Sequence, residues 1–208
     1  MKQNIKLSGI SIAMIIVALF VHMVYAEWVQ TEGLEGGQIN DFCVSGSCIY
    51  AGTCNGGIFL STDEGKKWSA VNSGLTNLNV TSLAVSGSTI FAGTGDGVYW
   101  SVDSGSSWLP VNTGLPNRPI HCLTVSGSNI FAGTLKGIFR STDNGASWTS
   151  AGRDSTNIEC LAANEDKIVA STSYAIFLST DRGASWTVID SGLHDDSLNF
   201  FHYHPTFT

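Results

Sequence analysis

The sequence predicts an all-β protein: a β-propeller of four-stranded antiparallel blades, about 40 residues per repeat, with four full repeats plus partial edge strands, and so an incomplete propeller. Three observations carry this. The octet Ser61-Thr62-Asp63-Glu64-Gly65-Lys66-Lys67-Trp68 returns as Ser101–Trp108, Ser141–Trp148 and Ser179–Trp186, at offsets of 40, 40 and 38 residues. Between the octets run short stretches rich in β-branched and aromatic residues, bounded by Gly, Asn, Asp or Ser, which is strand punctuation. No stretch after residue 26 repeats its apolar residues every 3.6 positions, as a helix would require.

Taken in order, the chain opens with Lys2 and Lys6, then an apolar run from Ile10 to Val24, then Ala26 before Glu27. A basic start, a short apolar core and a small residue at the exit predict a secretory signal peptide over 1–26, with an uncleaved anchor as the alternative. The domain is then 27–208, with blade repeats at about 39–77, 78–117, 118–156 and 157–196 and partial strands at 27–38 and 197–208. Segment Trp28–Leu34 matches Trp108–Leu115 and reads as a lone fourth strand. Leu198–Thr208 reads as a lone first strand.

Within the second repeat the expected strands are Val80–Val85, Thr89–Gly93, Val98–Val102 and Trp108–Val111. Asn55-Gly56 and Asp96-Gly97 mark tight hairpins, because both central positions of that turn favour positive φ. The last repeat departs from the others, with Asn164-Glu165-Asp166 where the second and third carry Ser-Gly-Ser. A single sheet of this kind cannot bury both faces, so neighbouring repeats must supply the core.

The Ser-x-Asp-x-Gly-x-x-Trp octet has a local logic. The carboxylates of Asp63, Asp103, Asp143 and Asp181 can accept backbone N–H groups of their own turn. Gly65, Gly105, Gly145 and Gly183 can adopt positive φ. Trp68, Trp108, Trp148 and Trp186 pack across the turn, and Ser61, Ser101, Ser141 and Ser179 open it. On these residues the chain resembles the Asp-box (BNR) repeat propellers over about residues 27–196. That group includes sialidases, the sortilin ectodomain, two-propeller xyloglucanases and the photosystem II stability/assembly factor-like family; the Ser-Gly-Ser and Ile-Phe-Ala-Gly-Thr flanks look most like the last. The resemblance implies a structural octet between the third and fourth strands, away from the functional face.

Composition excludes some partners. The net charge of −7 becomes more negative without Lys2 and Lys6, which argues against nucleic acid or an anionic membrane surface. No cofactor or metal is implied. Resemblance to sialidases would imply three arginines clamping a carboxylate, a Tyr–Glu pair and an Asp acid. The chain has four arginines, of which Arg140 and Arg182 fall on repeat-framework positions. The expected function is therefore an exported, non-catalytic propeller that binds or scaffolds a protein or surface glycan. A sialidase-like glycosidase or its inactive remnant is the alternative. Acidic candidates on the face shared by the inter-blade loops and second-to-third-strand turns are Asp96, Asp154, Glu159, Asp195 and Asp196, none at a spacing diagnostic of a glycosidase pair.

Candidate binding residues on that face are Asn55, Asp96, Arg118, Lys136, Arg153 and Tyr174, because loops on a rigid frame carry recognition. Five cysteines leave at least one unpaired within the chain. Cys43 and Cys48 flank one hairpin turn, with a cross-strand disulfide and two separate thiols as the two expectations. Cys122 and Cys160 share a phase in consecutive first strands, Cys54 is a candidate free thiol, and His202 and His204 lie near the end.

Overall fold

Each repeat folds into one antiparallel sheet whose strands follow chain order. In the computed structural model, which describes residues 33–34, 37–116 and 119–189, the first blade comprises β1 (Ile39–Ser45), β2 (Cys48–Thr53), β3 (Ile58–Ser61) and β4 (Ser69–Ala70). The second has β5 (Val80–Ser86), β6 (Thr89–Thr94), β7 (Gly97–Ser101) and β8 (Leu109–Pro110). The third has β9 (Ile120–Ser126), β10 (Asn129–Thr134), β11 (Gly137–Ser141) and β12 (Thr149–Ser150). The fourth has β13 (Cys160–Asn164), β14 (Lys167–Ser171), β15 (Ile176–Ser179) and β16 (Thr187–Val188). Each is a four-stranded up-and-down sheet, so the chain is an all-β, incomplete propeller of four blades.

The expected signal segment and most of the two expected edge strands lie outside the described residues. Among those described, no helix is long and apolar enough to cross a membrane.

The fourth strands are shorter than the apolar run at Trp108–Val111 suggests. Only two residues of each pair in the sheet. In the second and third blades the tryptophan before them leaves its own sheet. The Trp108 amide donates to the Ser73 carbonyl of the preceding blade at 2.9 Å, and the Trp148 amide to Thr113 at the same distance. Their indole N–H groups follow: Trp108 Nε1 donates to Val71 O at 2.7 Å, Trp148 to Val111 O at 2.8 Å and Trp186 to Ala151 O at 2.7 Å.

The core lies between blades. One buried cluster joins Tyr50 and Ile58 of the first blade to Val80, Leu83, Ile90 and Trp108 of the second. The next joins Phe91 and Val98 to Ile120, Leu123, Ile130 and Trp148. The third joins Phe131 and Ile138 to Ile158, Leu161, Ile168 and Phe177. Burial of such apolar side chains stabilises by roughly 1.5–3 kcal/mol each, which a lone sheet could not gain.

Glycine sets the spacing of these joins. A Cβ on Gly93 would lie 2.7 Å from Ile120 Cγ2, and one on Gly52 would lie 2.7 Å from Val80 Cγ1. Gly133 meets Ile158 in the same way. The fourth blade has Ser171 at this phase, paired with Cys160 as Gly133 pairs with Cys122.

On the first blade, Leu34 packs against the cluster of Ala51, Phe59 and Trp68. Gly33 approaches the Trp68 carbonyl as Gly74 approaches that of Trp108. The Trp68 indole donates to Gly65 O of its own turn at 3.1 Å, unlike the other three.

Candidate binding face

The up-and-down order of each sheet sends two kinds of turn to opposite faces. The Ser-x-Asp-x-Gly-x-x-Trp octets and the first-to-second-strand turns lie on one. The second-to-third-strand turns, the inter-blade loops and the starts of the first strands lie on the other.

The octets form four copies of one hydrogen-bonded turn. Ser61, Ser101, Ser141 and Ser179 each donate to the Asp two residues on, at 2.7–2.9 Å. Each serine oxygen also accepts the N–H of the turn glycine at 2.7–2.9 Å. The Asp then accepts the N–H four residues on, from Lys67, Ser107, Ser147 and Ser185. Two successive residues take positive φ: Glu64, Ser104, Asn144 and Arg182, each followed by its glycine. In the fourth copy the second must be glycine for a further reason, since a Cβ on Gly183 would lie 2.7 Å from the Phe131 ring of the preceding blade.

These bonds favour the charged carboxylate. The Ser107 hydroxyl and then the Ser107 amide hold Asp103 down at about 2. Ser147 and Ser185 act alike on Asp143 and Asp181, both at about 2. Asp63 is also lowered, chiefly by the Lys67 amide, and has no serine hydroxyl there to help. All four carboxylates are tied into their own turns, away from the opposite face.

On that opposite face, Asn55 and Lys136 are exposed, and Tyr174 is 69% exposed at the tip of its turn. Leu135, beside Lys136, is 40% exposed and Leu78 41%. Sequence reasoning passed over these two leucines because isolated leucines in a strand-rich chain read as core.

Asp96 sits on its turn as expected, with its carboxylate committed locally. It accepts from Thr94 at 2.7 Å and from Thr76 at 3.1 Å. Arg153 folds back over the Phe177 ring, its guanidinium carbon 3.7 Å from the centroid, a cation–π contact that holds it against the fourth blade. Asp154 accepts from Ser150 at 2.6 Å, and Glu159 from Ser173 at 2.5 Å. Arg118, Asp195, Asp196, His202 and His204 lie outside the described residues.

At the starts of the first strands this face holds a cleft of about 580 Å³ lined, among the described residues, by Gln38, Ile39, Asn40, Thr81 and His121. Three of these are equivalent positions at the starts of consecutive first strands. Asn40 Nδ2 donates to Val80 O at 2.8 Å, Thr81 Oγ1 to Ile120 O at 2.6 Å, and His121 Nδ1 bonds Ile158 O at 3.0 Å. Each side chain thus reaches across to the next blade. The series was hidden in the sequence because Asn, Thr and His share a phase but not a residue type.

One residue further along, a second series borders the same axis. Asp41 Oδ2 accepts from Ser82 Oγ at 3.0 Å and from the Leu83 amide at 2.7 Å. The Ser82 oxygen accepts the Leu123 amide at 3.0 Å. Cys122 and Cys160 continue the series. Burial, then Cys160, pushes the Cys122 thiol up; burial, then Asp41 of the first blade, pushes the Cys160 thiol up.

All five cysteines are free thiols. Cys43 stands opposite Tyr50 and Cys48 opposite Ser45, so the register does not place the two cysteines directly across from one another. Both pack on the cluster around Tyr50, and burial pushes Cys43 up to about 12. Among the described residues, no group of three His, Cys, Asp or Glu is placed to hold a metal ion.

No protein-family model matches the chain, and no curated protein matches it in sequence. Solved structures do. An ancestral GH74 enzyme superposes with a TM-score of 0.67 at 23% identity, over 77% of this chain and 25% of that one. The GH74 xyloglucanase from Xanthomonas campestris gives 0.62 at 18% identity, over 76% and 31%. YCF48 from Cyanidioschyzon merolae gives 0.57 at 15%, over 72% and 55%. The chain thus spans a quarter to about half of these proteins, and the likeness establishes the propeller fold.

Proposed function

We propose that the chain is an exported, non-catalytic propeller module that binds a protein through its loop-rich face. The observation that carries this is the contrast between the two faces. On one, the four conspicuous carboxylates are bonded into their own turns. On the other, Tyr174, Leu135 and Leu78 stand exposed, as does Lys136. An exposed tyrosine is a usual anchor of a protein interface. The resemblance of the octets to Asp-box propellers and the signal-like segment at 1–26 support the family and the export parts of this reading.

The test is capture of a binding partner from the exported fraction of the native source. Wild-type protein should retain a defined partner that the double variant Leu135→Ser, Tyr174→Ser loses. Val102→Ser, on the octet face, should retain it. Equal retention by all three, or hydrolysis of xyloglucan or a sialoside by the purified chain, would contradict the reading.

A further inference from the structure

Asp41, Ser82, Cys122 and Cys160 hold one repeat position in four consecutive first strands, and from it the first two blades reach into the next. Asp41 Oδ2 meets Ser82 Oγ at 3.0 Å and the Leu83 amide at 2.7 Å. Ser82 Oγ meets the Leu123 amide at 3.0 Å. The third blade makes this reach with sulfur. A Cβ on Gly133 would strike both Cys122 Sγ and Ile158 Cγ2, so the thiol lies in the joint between the third and fourth blades. It belongs to the buried cluster that holds Ile158 and Leu161. Cys160 stands at the end of the reach, with its Sγ 3.9 Å from Leu161 O. Burial pushes both thiols up, Cys160 is the next cause at Cys122, and the Leu161 amide offsets the rise at both sulfurs. Two sulfurs from neighbouring blades thus lie against one backbone amide.

We propose that Cys122 and Cys160 are joined by a disulfide that fastens the fourth blade to the third when the chain meets a small-molecule disulfide. The bond needs strands no more than a side-chain length apart, the separation that Ser82 spans to Leu123. Cys160 is exposed and Cys122 buried, which sets the order of exchange. The Cys160 thiolate attacks one sulfur of oxidised glutathione, forms the mixed disulfide and releases one glutathione. Cys122 then gives up its proton, attacks the Cys160 sulfur and releases the second glutathione. The two cysteines lose two electrons and two protons, and the glutathione disulfide gains them. The link ties a joint that lacks a bond found at two others: the Trp108 and Trp148 amides each donate to the preceding blade, and among the described residues the Trp186 amide makes no such bond. Its setting rests on the export part of the reading above, since disulfides persist in oxidising compartments. Its chemistry is tested on the purified chain, so its failure leaves export and partner binding untouched.

The experiment is equilibration of the full chain with oxidised and reduced glutathione, folded and in denaturing urea, then acid quench, alkylation, digestion and mass spectrometry. The folded chain should yield a peptide joining Cys122 to Cys160, in at least ten-fold excess over any other pairing of either residue. In urea that excess should be lost to pairs with shorter spacing, such as Cys43 with Cys48, because short loops close at less entropic cost. Cys122→Ser should leave Cys160 as the glutathione adduct. A folded wild type in which Cys122 stays alkylated, Cys160 stops at the glutathione adduct, either residue pairs elsewhere, or the pairing matches that in urea overturns the proposal. The wild-type map stands even if the variant fails to fold.

Discussion

Ser107 and Lys67 occupy the same position of the repeated octet and set different environments for their aspartates. The Ser107 hydroxyl donates to Asp103 Oδ2 at 2.6 Å, a bond that Lys67 cannot make to Asp63. Ser107→Ala should raise the Asp103 carboxyl from about 2 toward the ordinary aspartate value of about 3.9, read by NMR titration of the side-chain carbon. The sign for stability follows. These carboxyls are depressed in the folded state, so their contribution is present above about pH 4 and is lost as pH falls through the folded values near 2. Acid unfolding between about pH 4 and 2 should therefore begin at higher pH in a triple variant lacking Ser107, Ser147 and Ser185 hydroxyls. An unchanged acid midpoint would show that these bonds do not act. The octet itself was legible from spacing alone. Its double positive φ was not, because Glu64, Ser104, Asn144 and Arg182 have no common chemistry.

Blade edges carry the next level of specificity. Gly93 admits Ile120 of the next blade, and a Cβ there would lie 2.7 Å from Ile120 Cγ2 and 3.1 Å from its Cβ. Gly93→Ala should cost about 1–3 kcal/mol through overpacking, measured as a lowered urea midpoint. A change under about 0.5 kcal/mol would mean that the blades separate easily. Ser171 occupies the same phase in the fourth blade, and its hydroxyl is buried without a partner. Leaving such a group unsatisfied costs about 1–3 kcal/mol, so Ser171→Ala should be neutral or stabilising by up to about that amount in the same assay. A clear loss of stability would show that the hydroxyl is bonded. First, second and third strands were readable from short apolar runs. The fourth strands were overestimated; in the second, third and fourth repeats the tryptophan that begins the run turns to the preceding blade.

At the scale of the molecule, the repeat that makes the fold plain also hides the site. Positions that recur, such as Asp63 and Trp68, draw attention and serve structure. Positions that share only a phase, such as Asn40, Thr81 and His121, form the axial cleft. The loop-face candidates divide along similar lines: Asn55, Lys136 and Tyr174 are exposed, whereas Asp96 is bonded by Thr94 and Thr76 and Arg153 lies over Phe177 of the fourth blade. Sequence phase located the face; which side chains on it remain available depended on contacts across sequence separations that periodicity does not report. The four described blades and their two faces define the account, and binding is assigned to one of those faces. Hydrogen exchange of the chain, free and bound to the partner captured from its native exported fraction, tests this most directly. The account predicts added protection at the turns around Asn55, Lys136 and Tyr174 and at the strand starts around Asn40, Thr81 and His121, with the octets unchanged. Added protection at the octets, with none on the loop-rich face, would contradict it.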